Sequence, residues 1–260
     1  MSSKRLTFPG STGAMLAARL DLPVDGAPRA YGLFAHCFTC SKNLNAVAHI
    51  SRALAGEGIA VLRFDFTGLG ESEGDFADTS FSSNVDDLVA AADFLGESYA
   101  APAILIGHSL GGAAVLQAAP KIEGITAVAT IGAPADPSHV KHLLASSAEE
   151  IERLGEAEVR LAGRTFRIRK QFLDDLDRPD REAAIRGLGA ALLVFHSPAD
   201  KLVGIDNAER IYSAARHPKS FVSLDRADHL LTAEADSRYV GVVLAAWASR
   251  YLTGGSPLVL

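Results

Sequence analysis

The residues best placed to do chemistry are a serine, an aspartate and a histidine that stand far apart in the chain, together with one pair of cysteines. Gly107-His108-Ser109-Leu110-Gly111 follows the apolar run "PAILI" and leads into the small-residue stretch "GAA". A serine between two glycines at a strand-to-helix junction sits on a sharp turn with its Oγ exposed. Side chains at 107 or 111 would collide with the neighbouring strand and helix. A serine hydroxyl is a weak nucleophile, so acyl transfer also needs a base and an acid that orients the base. "LLVFHSPADKLVG" puts Asp200 just past one apolar run, and "FVSLDRADHLLT" puts His229 just past another. Asp200 has an alternative reading as a turn or helix-capping aspartate. Asp225 and Asp228 are nearer to His229 in sequence, but neighbours on one loop seldom point at each other's ring. Asp200 is therefore the preferred acid. A histidine base predicts a rate that rises between about pH 5 and 8 as the ring loses its proton.

Cys37 and Cys40, in "AHCFTCSKN", are the only cysteines in the chain. Strand, C-x-x-C, helix is how a thiol–disulfide oxidoreductase presents its redox pair. Such an enzyme needs its first thiol activated at a helix N-terminus, and it has no use for a G-x-S-x-G with Asp and His behind it. A redox centre is therefore not expected, and a thiol switch on the serine site is the minority alternative. "GLGESEG" (68–74) imitates a dinucleotide fingerprint, but Glu71, Glu73 and Asp75 would repel a pyrophosphate and no helix follows. It reads as an active-site loop. His49, His139, His142 and His217 read as surface or lid residues, and His196 as a core residue at a strand end. No metal-ligand spacing emerges, and the chemistry requires no cofactor.

The elements that must position these groups follow from hydropathy. Short apolar, β-branched runs at 5–8, 15–22, 31–36, 59–66, 102–108, 125–132, 191–197 and 220–225 read as eight strands. Helical patterns lie between them at about 44–55, 84–98, 110–119, 205–215 and 236–251, with Ser83 or Asn84 as the N-cap of the second. Near-continuous apolar strands alternating with helices predict an α/β fold: a mostly parallel sheet with helices on both faces. Asp200 and His229 then fall at the C-terminal ends of strands, where such sheets build their sites. At 260 residues with 48% hydrophobic and 22% charged residues, the chain can bury one large core. A net charge of −6 without a basic block makes nucleic acid and anionic membrane poor partners. The opening residues lack a signal-peptide pattern and no apolar run is long enough to span a bilayer, so a cytoplasmic protein is expected. In that compartment a structural disulfide is not expected.

With these residues in view the chain resembles a known family. "HCFT-S-N" is similar to the H-G-F-T-x-x-(K/R)-N oxyanion signature of bacterial cinnamoyl (feruloyl) esterase-like α/β-hydrolases, and "RFDFTGLGESEG" to their R-x-D-x-x-G-x-G-x-S-x-G loop. Residues 4–251 look most like the hydrolase half of bacterial bifunctional α/β-hydrolase/OsmC-like proteins. The resemblance implies an α/β-hydrolase fold, a small-molecule ester substrate, and oxyanion-hole N–H groups from Phe38 and Leu110. It makes His36 a structural residue beside the hole, and His36, Cys37 and His108 residues that border the substrate. Cys37 departs from the pattern, standing where these esterases usually carry glycine and narrowing the approach to the hole. The OsmC-like half is absent from the sequence, so a stand-alone form and a part of a longer protein both stay open, as do association with an OsmC-like domain and a homodimer.

One connection exceeds what a crossover helix needs. Residues at about 134–188 read as a cap inserted between the sixth and seventh strands of a single domain. Within it "EAEVRLAGRTFRIRK" alternates with period two around Ala162–Gly163. Helices are expected at 137–153 and 169–186. Val159, Leu161, Phe166 and Ile168 should share an apolar face that roofs Ser109, with Arg160, Arg167 and Arg169 solvated on the other face. The tail at 252–260 reads as flexible.

Overall fold

The computed structural model describes residues 2–24, 27–37, 40–161, 163–178 and 181–252. Phe38, the expected Ala162 corner and nearly all of the tail lie outside these residues. Ten strands form two sheets: β1 (Ser2–Pro9), β2 (Met15–Leu22), β3 (Ala30–Ala35), β4 (Ile59–Phe64), β5 (Ile104–His108), β6 (Ala127–Ile131), β7 (Glu156–Leu161), β8 (Arg164–Arg169), β9 (Ala191–His196) and β10 (Lys219–Ser223). Eight of them build the main sheet in the order β1-β2-β4-β3-β5-β6-β9-β10. Only the β1–β2 and β2–β4 pairs are antiparallel. The remaining pairs are parallel. This is the expected eight-stranded α/β sheet.

Burial follows from the strand period. In β3, Leu33 and Ala35 face one core and Phe34 the other, because successive side chains point to opposite sides of a sheet. α1 (Asn45–Gly56) and α9 (Glu234–Leu252) cover the Phe34 side, with Ile50, Leu54, Val240 and Leu244 buried. α2 (Phe81–Ser98), α3 (Leu110–Ala118) and α8 (Asp206–Ala214) cover the other. β4, β5, β6 and β9 are buried along their whole length, which is why they read as unbroken apolar runs.

α2 starts earlier than expected. Its N-cap is Ser80, whose side chain accepts from the Ser83 N–H while the Ser83 hydroxyl accepts from the Ser80 N–H. This reciprocal capping box satisfies two donors at once, which neither Ser83 nor Asn84 could do alone.

The insertion leaves β6 and returns into β9, as expected, but its helices are broken. The 137–153 segment resolves into short 3-10 turns, α4 (Lys141–Leu144) and α5 (Ala148–Leu154). The 169–186 segment becomes α6 (Lys170–Leu176) and α7 (Arg181–Arg186). β7 and β8 form the expected hairpin, with Val159 opposite Phe166. Its apolar face is already covered by the protein. Val159, Leu161, Phe166 and Ile168 are each no more than 8% exposed, and Phe166 meets Phe76 edge-on at 5.5 Å. The polar face is also partnered. Arg167 pairs with Asp75 at 2.5 Å, and Arg169 pairs with Asp78 and Glu156. The Ser82 N–H and hydroxyl both donate to Asp175 at 2.7 Å. β8 is thus a clasp onto residues 75–78 while β7 packs on α5, and the apolar face of the hairpin is buried within the protein.

Candidate active site

Ser109 occupies the corner between β5 and α3 with φ 55° and ψ −127°. A β-carbon in this left-handed region is strained, at a cost of about 1–3 kcal/mol that only a well-packed surround can sustain. The surround is visible in the flanking glycines. A β-carbon at Gly107 would fall on the Gly111 carbonyl, and one at Gly111 on the carbonyls of Ala35 and His36. Both positions are closed by backbone, so the corner admits no other residue.

The structure brings Ser109, His229 and Asp200 into one line. His229 Nε2 lies 2.9 Å from Ser109 Oγ, and His229 Nδ1 lies 2.7 Å from Asp200 Oδ2. Both readings of Asp200 hold together. Its Oδ1 accepts the N–H groups of Leu202 and Val203 at 2.9 and 3.0 Å, which builds the turn and aims Oδ2 at the ring. Burial alone would raise the carboxyl's pKa, but the hydrogen bonds from His229 and from those two N–H groups outweigh it and hold it below the usual carboxylate range. Asp225 bonds Ser223, and Asp228 bonds Thr232, so neither bonds the ring.

His108 supports His229 from behind. Because a carbonyl only accepts, His108 Nε2–H donates to the His229 carbonyl, at 2.7 Å. The two rings stand 5.1 Å apart. Burial first, and then the neighbouring His229, push the His108 pKa down to about 4, so the ring is neutral near pH 7. His36, Cys37 and His108 are 1%, 4% and 3% exposed. His36 and His108 each hold a backbone carbonyl, and the buried Cys37 side chain is joined to Cys40.

The segment after β3 is fixed from below. Asp65 accepts the Lys42 N–H at 2.6 Å, the Lys42 ammonium at 2.5 Å and the Glu71 N–H at 2.9 Å. Arg63 donates to the Lys42 carbonyl and pairs with Asp21. His36 Nδ1–H donates to the Cys37 carbonyl at 2.7 Å. Sequence reading missed Lys42, Asp65 and Arg63 as holders of this segment, although "RFD" and "SKN" had both been picked out. Cys37 and Cys40 are joined by a disulfide, with Cα atoms 5.3 Å apart, which corrects the expectation of two reduced thiols. The bridge spans only three residues and lies at the end of a buried strand, where the chain already turns back on itself through the Cys40 N–H to Cys37 carbonyl bond. The "GLGESEG" loop lies beneath this segment through Glu71, and Ser72 ties it to Asp65 and Ala17, so it is a support of the site. Among the described residues no group of His, Cys, Asp and Glu is arranged to hold a metal ion.

The alpha/beta hydrolase family model matches residues 31–253. The chain belongs to the alpha/beta hydrolase family. Among solved structures this hydrolase is similar to the esterase domain of a Rhodothermus marinus protein, at 57% identity over 97% of this chain and all of that one, with a TM-score of 0.80. It also shares its fold with Est1E of Butyrivibrio proteoclasticus, solved with ferulic acid bound, at 19% identity over 95% and 99% of the two chains and a TM-score of 0.77. A shorter stretch, 38% of this chain and 33% of the relative, is 34% identical to the mouse mitochondrial palmitoyl-protein thioesterase ABHD10. No described helix of the hydrolase is long and apolar enough to cross a membrane.

Proposed function

We propose that this hydrolase is a serine esterase that cleaves short acyl or aryl carboxylic esters through an acyl-enzyme. The observation that carries the reading is the unbroken hydrogen-bond line from Asp200 through His229 to the strained Ser109. Ser109 Oγ attacks the ester carbonyl and its proton passes to His229 Nε2. Asp200, ionised and anchored by its own turn, holds the imidazolium in place. The Phe38 and Leu110 N–H groups stabilise the oxyanion. Leu110 opens α3, and the first N–H groups of a helix have no acceptor within it. His229 returns the proton to the leaving alcohol, and water then releases the acyl group by the same steps. The esterase-domain relative supports the ester bond, and ferulic acid bound to the fold neighbour favours an aryl acyl group.

A fluorophosphonate probe should label the protein, and Ser109→Ala should abolish labelling. The same variant should lose on the order of 10³-fold or more of its p-nitrophenyl acetate turnover. Retention of a tenth of the wild-type rate would sink the reading. The partial likeness to a thioesterase favours a second substrate class for the same residues. Acyl thioesters assayed beside matched oxygen esters separate the two by kcat/KM.

A further inference from the structure

Behind the oxyanion segment lies a cavity of about 10 Å³, bordered by Phe66, Leu69 and Phe81 on one side and by Leu110 and Gly111 on the other. Two polar residues also line it, His36 and Asn84. They are 1% and 6% exposed, and His36 Nε2 and Asn84 Oδ1 have no hydrogen-bond partner within the protein. A buried polar atom left in this way is costly, so two at one cavity call for a ligand.

The chemistry of that ligand follows from the tautomer. His36 Nδ1 must carry its proton, because it faces the Cys37 carbonyl at 2.7 Å. Burial depresses the ring's pKa against the opposing pull of the Cys37 carbonyl and Asp65, so the imidazole is neutral and its Nε2 is a bare acceptor. The nearest charge, Asp65 Oδ1, stands 3.7 Å away and is itself an acceptor. Asn84 Oδ1 also accepts only. Two acceptors on a space of this size ask for one small molecule with two donors, and the volume is about what a single water needs.

We propose that an ordered water fills this cavity, donating one hydrogen to His36 Nε2 and the other to Asn84 Oδ1, and that it makes Asn84 a positioning residue for the oxyanion hole. The link runs through one peptide group. His36 holds the Cys37 carbonyl, which belongs to the same peptide unit as the N–H that the mechanism above assigns to the oxyanion. A ring held at both nitrogens fixes the plane of that N–H. A ring held at one nitrogen does not. The water stands on the orphaned acceptors alone, whereas its effect on turnover rests on the esterase reading above.

A crystal structure at about 1.2 Å should show a peak within about 3.2 Å of both atoms, and Asn84→Leu, which is similar in volume and has no acceptor, should remove it. In that variant kcat for p-nitrophenyl acetate should fall about tenfold with KM within about twofold, because the loss is felt only by the oxyanion. Asn84→Asp, which keeps the acceptor, should recover most of it. Absence of a peak in the wild type would overturn the proposal, as would an Asn84 amide turned to donate directly to His36. A peak that persists in Asn84→Leu would also overturn it, and unchanged kcat with the peak lost would refute the positioning role. If no ester is hydrolysed at all, the diffraction result still decides the water, and the failure belongs to the esterase reading.

Discussion

The floor of the site and the cap are held by the same kinds of bond in opposite surroundings. Beneath the segment after β3 the Lys42–Asp65 and Arg63–Asp21 pairs have side chains no more than 7% exposed. On the cap the Arg167–Asp75 and Arg169–Asp78 pairs are between about a third and two thirds exposed. A charge deprived of its partner in the interior has nowhere to go, whereas one at the surface is taken up by water. The floor is therefore unforgiving and the clasp is not, although both read as Arg/Lys–Asp contacts.

Three measurements press on this contrast, the largest effect first. Asp200→Asn should cost on the order of 10²–10⁴ in kcat, through loss of the tautomer and of charge stabilisation. Asp225→Asn and Asp228→Asn should each cost much less, and the reverse ranking would move the acid to the last loop. Next, Lys42→Met should lower unfolding stability by about 3–5 kcal/mol in urea titrations, because it strands Asp65 in the interior. Arg167→Ala should cost less than about 1 kcal/mol. Equal losses would erase the distinction between floor and clasp.

The third measurement is of stability against pH. His108 accepts a proton only near pH 4 in the native state, against 6.5 for a free histidine. Between those values the unfolded chain binds more protons than the native one, so stability must fall as pH drops through this window and level off below it. A single group accounts for at most about 3 kcal/mol of the fall. Urea midpoints at pH 7 and pH 5 should differ clearly in the wild type and by less in His108→Gln. An unchanged difference would mean that the fall arises elsewhere.

Where steric necessity writes the sequence, the structure was easy to foresee. Gly107 and Gly111 are closed by backbone on either side, so the spacing around Ser109 announces its corner. The buried strands β4, β5, β6 and β9 announced themselves as unbroken apolar runs. The hairpin alternation said which residues are buried but not against what; for Phe166 the partner is Phe76, 90 residues upstream. The first cap helix differs from expectation because composition shows helical preference, while the chain tightens into 3-10 turns at Pro137–Val140 and Ala145–Ser147. Lys42 and Asn84 were hardest to read. Lys42 meets Asp65 and Glu71 only because the fold brings them in, and Asn84 lines a cavity that only the fold creates; neither leaves a period in the sequence.

The insertion hangs from β6 and β9, which are paired directly from Ala127–Ala191 to Ile131–Phe195. Because the pair is parallel, the insertion leaves at the end of β6 and returns at the start of β9, four residues or roughly 13 Å back along the sheet, whatever lies between them. Doubling the length of a loop closed in this way adds only about 0.6 kcal/mol of closure entropy. The ladder at its base, and with it the alignment of Ser109 with His229 and Asp200, does not register the change. The molecule is divided into a frame that tolerates little and an insertion whose exposed loops can be lengthened at small entropic cost while its buried residues stay in place.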